Sequence, residues 1–194
     1  MIAVPPSFSK IKKGVISAFN FMMKKDKIKN LFVLNINTFW ESCWIVFFIN
    51  ALVSVLASYG IKSSFDVSLK FSLLPKLMLI TVIDIALFSI LVFYIFEKIN
   101  KEDQFFRYMI PFNWIQASQA IIMLSFTIVG LFLPASIFIF IGFGLVVWVT
   151  YSLWRIGKEE IGLTGWSAAG IIILSVVTEA SIGLISRYIS KFFV

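Results

Sequence analysis

Five stretches, at about residues 38–59, 72–96, 113–133, 135–154 and 166–187, approach or exceed the ~20 apolar residues a helix needs to cross a bilayer. A water-soluble fold would have to cover them with polar side chains. The chain lacks these: 60% of its 194 residues are hydrophobic and 14% are charged, about half the charged share of a soluble domain. Lipid is therefore the solvent for most of the chain. The expected fold is all-α, a polytopic bundle of five transmembrane helices preceded by an amphipathic helix at the membrane interface. Two regions follow: a basic N-terminal segment at the membrane surface over residues 1–35, and a five-helix transmembrane domain over 36–194.

In the N-terminal segment, Val4-Pro5-Pro6 cannot propagate a helix, and Ser7 is placed as the N-cap of the helix that follows. Phe8, Ile11, Val15, Phe19 and Met22 recur at helical spacing, opposite Lys13, Ser17, Asn20 and Lys24, with Phe21 falling on the polar side. Seven lysines lie between Lys10 and Lys29 against one acid, Asp26. Such a helix suits the headgroup boundary. Lys10, Lys12, Lys13, Lys24 and Lys25 are expected to meet anionic lipid there. No nucleic-acid-binding motif accompanies the lysines, so membrane lipid is the expected partner and nucleic acid is not. Lysines close both ends of the short apolar run and no small-residue cleavage site follows, which reads against a signal peptide.

Lysine and arginine counts set the orientation. With the N-terminus cytoplasmic, the inside carries seven on the N-terminal arm, three in 97–112 and two in 155–165; the outside carries three from the first loop into the start of the second span (Lys62, Lys70 and Lys76), none near Pro134 and two at the tail. Twelve against five is a positive-inside bias, so the N-terminus is expected inside and the C-terminus outside. The 97–112 connection, EKINKEDQFFRYMIPF, is expected to lie along the surface, with Pro111 opening the third span.

Chemistry is bounded by what is missing. With one cysteine, Cys43, and no histidine, an intramolecular disulfide, a conventional zinc site and Ser–His or Cys–His nucleophile pairs are all out of reach. Gly142 and Gly144 lack the strand and lysine of a phosphate loop. No enzyme activity, cofactor or metal is expected.

Three acids, Glu41, Asp84 and Glu179, fall at or within the apolar spans. An Asp at mid-helix costs about 2.5–3.5 kcal/mol on insertion scales, tolerable only if it faces other helices or water, or is protonated. Ser175, Glu179, Gly183 and Ser186 form one stripe, Cys43, Phe47, Asn50, Ser54 and Ala57 another, and Asn113, Gln116, Ala120, Thr127 and Gly130 a third. These stripes, with Thr81 and Asp84, would turn to a common interior and leave the greasy fourth span, FIFIGFGLVVWV, more peripheral. Asp84, Glu179, Glu41, Asn113 and Gln116 are thus candidates for an intramembrane polar or proton site. Glu41 stands apart, beside Trp40 and Trp44 in the interfacial aromatic belt. The competing reading is that these acids are packing polars that fix helix register.

Five closely spaced spans, with the NTFWESCW start of the first and the FNWIQ start of the third, resemble the Yip family of small multispan membrane proteins and its bacterial relatives over roughly residues 36–190. The Asp-Leu-Tyr-Gly-Pro signature of eukaryotic members is absent, so vesicle trafficking does not carry over and no family site maps onto a residue. The resemblance implies a non-enzymatic scaffold or accessory subunit of a membrane complex, in a bacterial cytoplasmic (inner) membrane, with a protein partner or a second copy. The alternative is a small proton-coupled or solute-conducting protein working through Asp84 and Glu179.

Overall fold

The computed structural model describes residues 4–60, 74–130 and 134–190, and among them every regular element is helical. In lipid a backbone amide finds no water, so each span must satisfy its hydrogen bonds within itself, and a helix does this. The elements are α1 (Phe8–Met22), α2 (Ile28–Leu31), α3 (Ile36–Gly60), α4 (Leu74–Lys98), α5 (Phe105–Gly130), α6 (Ala135–Arg155) and α7 (Gly165–Ser190). A 3₁₀ turn (Glu102–Gln104) precedes α5, and a π turn (Ile156–Glu160) continues α6. Four helices contain segments long and apolar enough to cross a membrane: Ile36–Val53, Met78–Lys98, Ser136–Glu160 and Gly165–Ile185. Their outward faces carry Leu52, Ile90, Phe140, Phe143 and Ile173 exposed, a surface suited to hydrocarbon and not to water. This is an integral membrane protein.

Side-chain chemistry sets the helix ends. Asn35 caps α3, its Oδ1 accepting from the Thr38 backbone N–H at 2.9 Å and from the Thr38 hydroxyl at 3.0 Å. Thr164 does the same for α7, its Oγ1 accepting from the Ser167 N–H at 3.1 Å. Ser7 has the extended backbone of an N-cap, yet its hydroxyl makes no capping bond. At the other end of α1, Lys24 N–H donates to Phe21 O and Lys25 N–H to Asn20 O, both at 2.9 Å. This is a Schellman turn, with Lys24 at φ 58° where glycine is usual. Asn100, at φ 54°, closes α4 in the same way.

Helices α3, α4, α7, α6 and α5 pack in that order into a ring, with α5 also against α3. On α4 the buried stripe is Phe88, Val92 and Phe96; Asp84, one turn earlier, continues it. Phe88 meets Phe112 of α5 at 4.8 Å between ring centroids, and Phe96 meets Tyr108 at 5.5 Å. Tyr108, Met109, Ile110 and Ile115 make the first half of α5 the most enclosed part of the molecule.

Two features differ from expectation. Pro111 does not open the third span: α5 begins at Phe105 and runs through it. Residues 105–112, expected along the surface, are largely core, because α1 and α3 cover them. The second concerns α1, which packs on α5 and α6 through Gly14, Ser17, Ala18, Phe21 and Met22. Ser17 and Phe21 therefore lie on the covered face, and Phe8 is exposed. Gly14 is what allows the approach, since a Cβ there would stand 2.5 Å from ring carbons of Trp114. Ser17 can be buried because its hydroxyl donates to Leu31 O at 3.0 Å. Stripe residues 54, 57, 127, 130 and 186 have side chains outside the described set.

Candidate functional site

Inside the ring lies a cavity of about 250 Å³. Asp84 reaches it from α4 and Glu179 from α7, while α5 contributes Asn113, Gln116 and Gln119. Asn50 of α3 and Ser175 of α7 complete the polar lining. The placement follows from periodicity: 113, 116, 120 and 123 are one face of α5, as 84 and 88 are of α4 and 175 and 179 of α7. Among the described residues nothing from α6 enters the lining. Its outer positions Ile139, Phe140 and Phe143 face away from the protein.

Several lining groups are anchored. Asn113, buried, donates through Nδ2 to Ser42 Oγ at 3.0 Å and lies 3.6 Å from Cys43 Sγ. Ser42 in turn donates to Phe39 O at 2.7 Å, so α3 holds the amide in one orientation. Ser175 donates to Ile172 O at 2.7 Å, the usual way a hydroxyl is satisfied in an apolar helix. Phe88 and Phe112 form an aromatic wall. Asp84 and Glu179 thus share one lining from two different helices. Among the described residues no lysine or arginine lines the cavity. Two carboxylates among amides can take up a proton or a monovalent cation, with the amides as further ligands. Among the described residues no three His, Cys, Asp or Glu side chains converge as a metal ion would require.

Of the five candidates from the sequence, four meet at this cavity: Asp84, Glu179, Asn113 and Gln116. Glu41 does not. It forms an ion pair with Lys10, joining the start of α3 to α1. Asn50, Gln119 and Ser175 are added: Asn50 and Ser175 belong to the polar stripes read from α3 and α7, and Gln119 lies about one turn beyond Gln116 on α5.

A charged cluster at one end of the bundle was not foreseen. Arg155, buried, donates through Nε to Glu159 Oε2 at 2.8 Å and through NH1 to Phe21 O at 3.0 Å, with its guanidinium 4.7 Å from the Phe21 ring centroid. Arg107 reaches Glu160 Oε2 at 3.1 Å. Lys101 donates to Ile161 O at 2.7 Å. These residues appeared in the sequence only as positive-inside charge, although the i, i+4 spacing of Arg155 and Glu159 marked one pair.

Fold and cavity together define a class: an all-helical membrane protein with a carboxylate-bearing polar cavity between its helices. No protein-family model matches the chain, and no curated protein or solved structure matches it either.

Proposed function

We propose that the chain is a five-span membrane protein, N-terminus cytoplasmic, that binds and passes a proton or a small monovalent cation at Asp84 and Glu179. The observation that carries this reading is a cavity holding two carboxylates and, among the described residues, no basic side chain. Each unneutralised carboxylate at membrane depth is unfavourable by about 2.5–3.5 kcal/mol, and two in one cavity repel. The missing countercharge has to be a proton or a cation. Packing polars that only fix register would fill the interior, whereas these leave a cavity of about 250 Å³ among them. The reading is non-enzymatic.

The fifth span in this proposal is α5. Asn113, Gln116 and Gln119 lower its hydropathy, but a helix shielded by its neighbours need not be apolar all round. The scaffold role ranks second. What favours it is an apolar groove of about 560 Å³ between α3 and α4, where Trp40, Trp44 and Ile90 form an open surface for a partner helix. Kinship with the Yip family is carried by the layout of spans.

Reconstituted vesicles test the primary reading. Protein-containing vesicles should dissipate an imposed proton, Na⁺ or tetramethylammonium gradient faster than empty ones. Decay at the protein-free rate for all three would remove it and leave the scaffold. Orientation is tested separately by a cysteine at Ser136, beside Pro134, on a Cys43→Ala background. It should react with an impermeant thiol reagent on intact cells; reaction only after permeabilisation would invert the topology.

A further inference from the structure

Apart from the cavity, a second polar recess of about 680 Å³ lies at the charged end of the bundle. Its walls are the turn between α1 and α2, bearing Lys24, Lys25, Lys27 and Lys29, and the end of α6 with its π turn. Three carboxylates also line it; two are paired with arginines, and the third, Asp26, is turned back onto its own loop and leaves one negative charge against the four lysines. Asp26 accepts from Asn30 Nδ2 and from the Lys27 N–H, both at 2.7 Å, which holds its carboxyl below the usual range. Glu159 is taken by Arg155 and Glu160 by Arg107. By contrast, Lys25, Lys27 and Lys29 are exposed and form no ion pair among the described residues. The recess therefore keeps unanswered positive charge.

Two further observations concern its construction and depth. Lys24 occupies a left-handed backbone position that favours glycine. Its ammonium is fixed 3.0 Å from Tyr151 Oη and 5.0 Å from that ring's centroid, so the turn is held against α6 in spite of the unfavourable conformation. Tyr151 and Trp154, with Lys158 lying 4.5 Å from the Trp154 ring, mark the level of an interfacial aromatic belt. A phosphate at headgroup depth reaches the recess without leaving the bilayer.

We propose that this recess is a discrete site for a phosphate group carried by an anionic phospholipid, gripped by Lys25, Lys27 and Lys29. It differs from diffuse attraction to the basic α1 helix. Lys10 is committed to Glu41, and Lys12 and Lys13 point outward from α1, away from the recess. A diffuse surface would count all these lysines alike.

Two double variants that remove the same charge separate the cases: Lys25→Gln/Lys27→Gln and Lys12→Gln/Lys13→Gln. Full-length protein in neutral detergent is titrated with short-chain phosphatidylglycerol, phosphatidylcholine or inorganic phosphate, following thermal stability and binding. Phosphatidylglycerol should stabilise the wild type and the second variant alike, and bind the first about thirtyfold more weakly. Equal weakening of both variants, or no preference over phosphatidylcholine, would overturn the site. Stabilisation by inorganic phosphate as strong as by phosphatidylglycerol would overturn the lipid as its source.

Discussion

Asp84→Asn should reduce cation or proton flux through reconstituted vesicles to the protein-free background while leaving the protein at least as stable as the wild type. Asparagine preserves the size of the side chain and its ability to hydrogen-bond, but it cannot ionise. The penalty of holding a carboxylate at membrane depth, about 2.5–3.5 kcal/mol on insertion scales, disappears with the charge. Activity and stability should therefore move in opposite directions, the signature of a residue kept for function at the expense of the fold. Asp84→Leu should be equally inactive, since leucine can carry neither a proton nor a cation. Glu179→Gln should impair flux as well, since both carboxylates line the same cavity. The flux assay is read beside thermal unfolding of each variant. An asparagine variant that conducts like the wild type would show that Asp84 carries no proton or cation, and would return the acids to a packing role.

Gly14→Leu should detach α1. The Cβ would fall 2.5 Å from ring carbons of Trp114, and Trp114, only 2% exposed, has no room to withdraw. Overpacking of this kind is unfavourable by about 1–3 kcal/mol. Lifting α1 would also expose Phe21, worth about 1.5–3 kcal/mol of burial, and take Phe21 O away from Arg155. The sign separates two pictures of this helix. One lying free on the membrane would gain from the change, because leucine is apolar and forms helix better than glycine by nearly 1 kcal/mol. Limited trypsin digestion at Lys24 and Lys25 checks it: faster cleavage and a lower Tm are expected, with Ile16→Leu on the exposed face as an unaffected control. Unchanged protection would mean that α1 does not depend on its contact with Trp114.

Helix limits at α3, α4, α6 and α7 fall within about three residues of the apolar segments read from the chain. The start of α5 does not. FFRYMIP mixes charge, aromatics and proline, and its helical state depends on the cover that α1 and α3 provide. The N-terminal helix was legible as a helix, yet its faces were not: Ser17 and Phe21 lie beneath the protein because Gly14 sets the angle at which α1 meets Trp114. Glu41 was visible as an acid at the start of a span. Only folding brings Lys10, thirty-one residues away, to its side.

By itself the sequence determined that this protein lives in lipid, that its spans are helices, and which face of each carries polar groups. Those properties are local: they depend on runs of apolar residues and on a period of 3.6, and no neighbour is needed to define them. It also placed Asp84, Glu179, Asn113 and Gln116 among the candidates, since a polar group in an apolar run is conspicuous wherever it later points. Tertiary structure alone decided that these four share one cavity and that Asn113 is braced by Ser42. It also decided that Arg155 closes the end of α1 and that, among the described residues, Lys25, Lys27 and Lys29 form no ion pair. Each is a meeting of side chains from separate segments. Such meetings are fixed by how helices rotate and approach one another, a choice made by packing across the whole bundle that no single stretch of sequence contains.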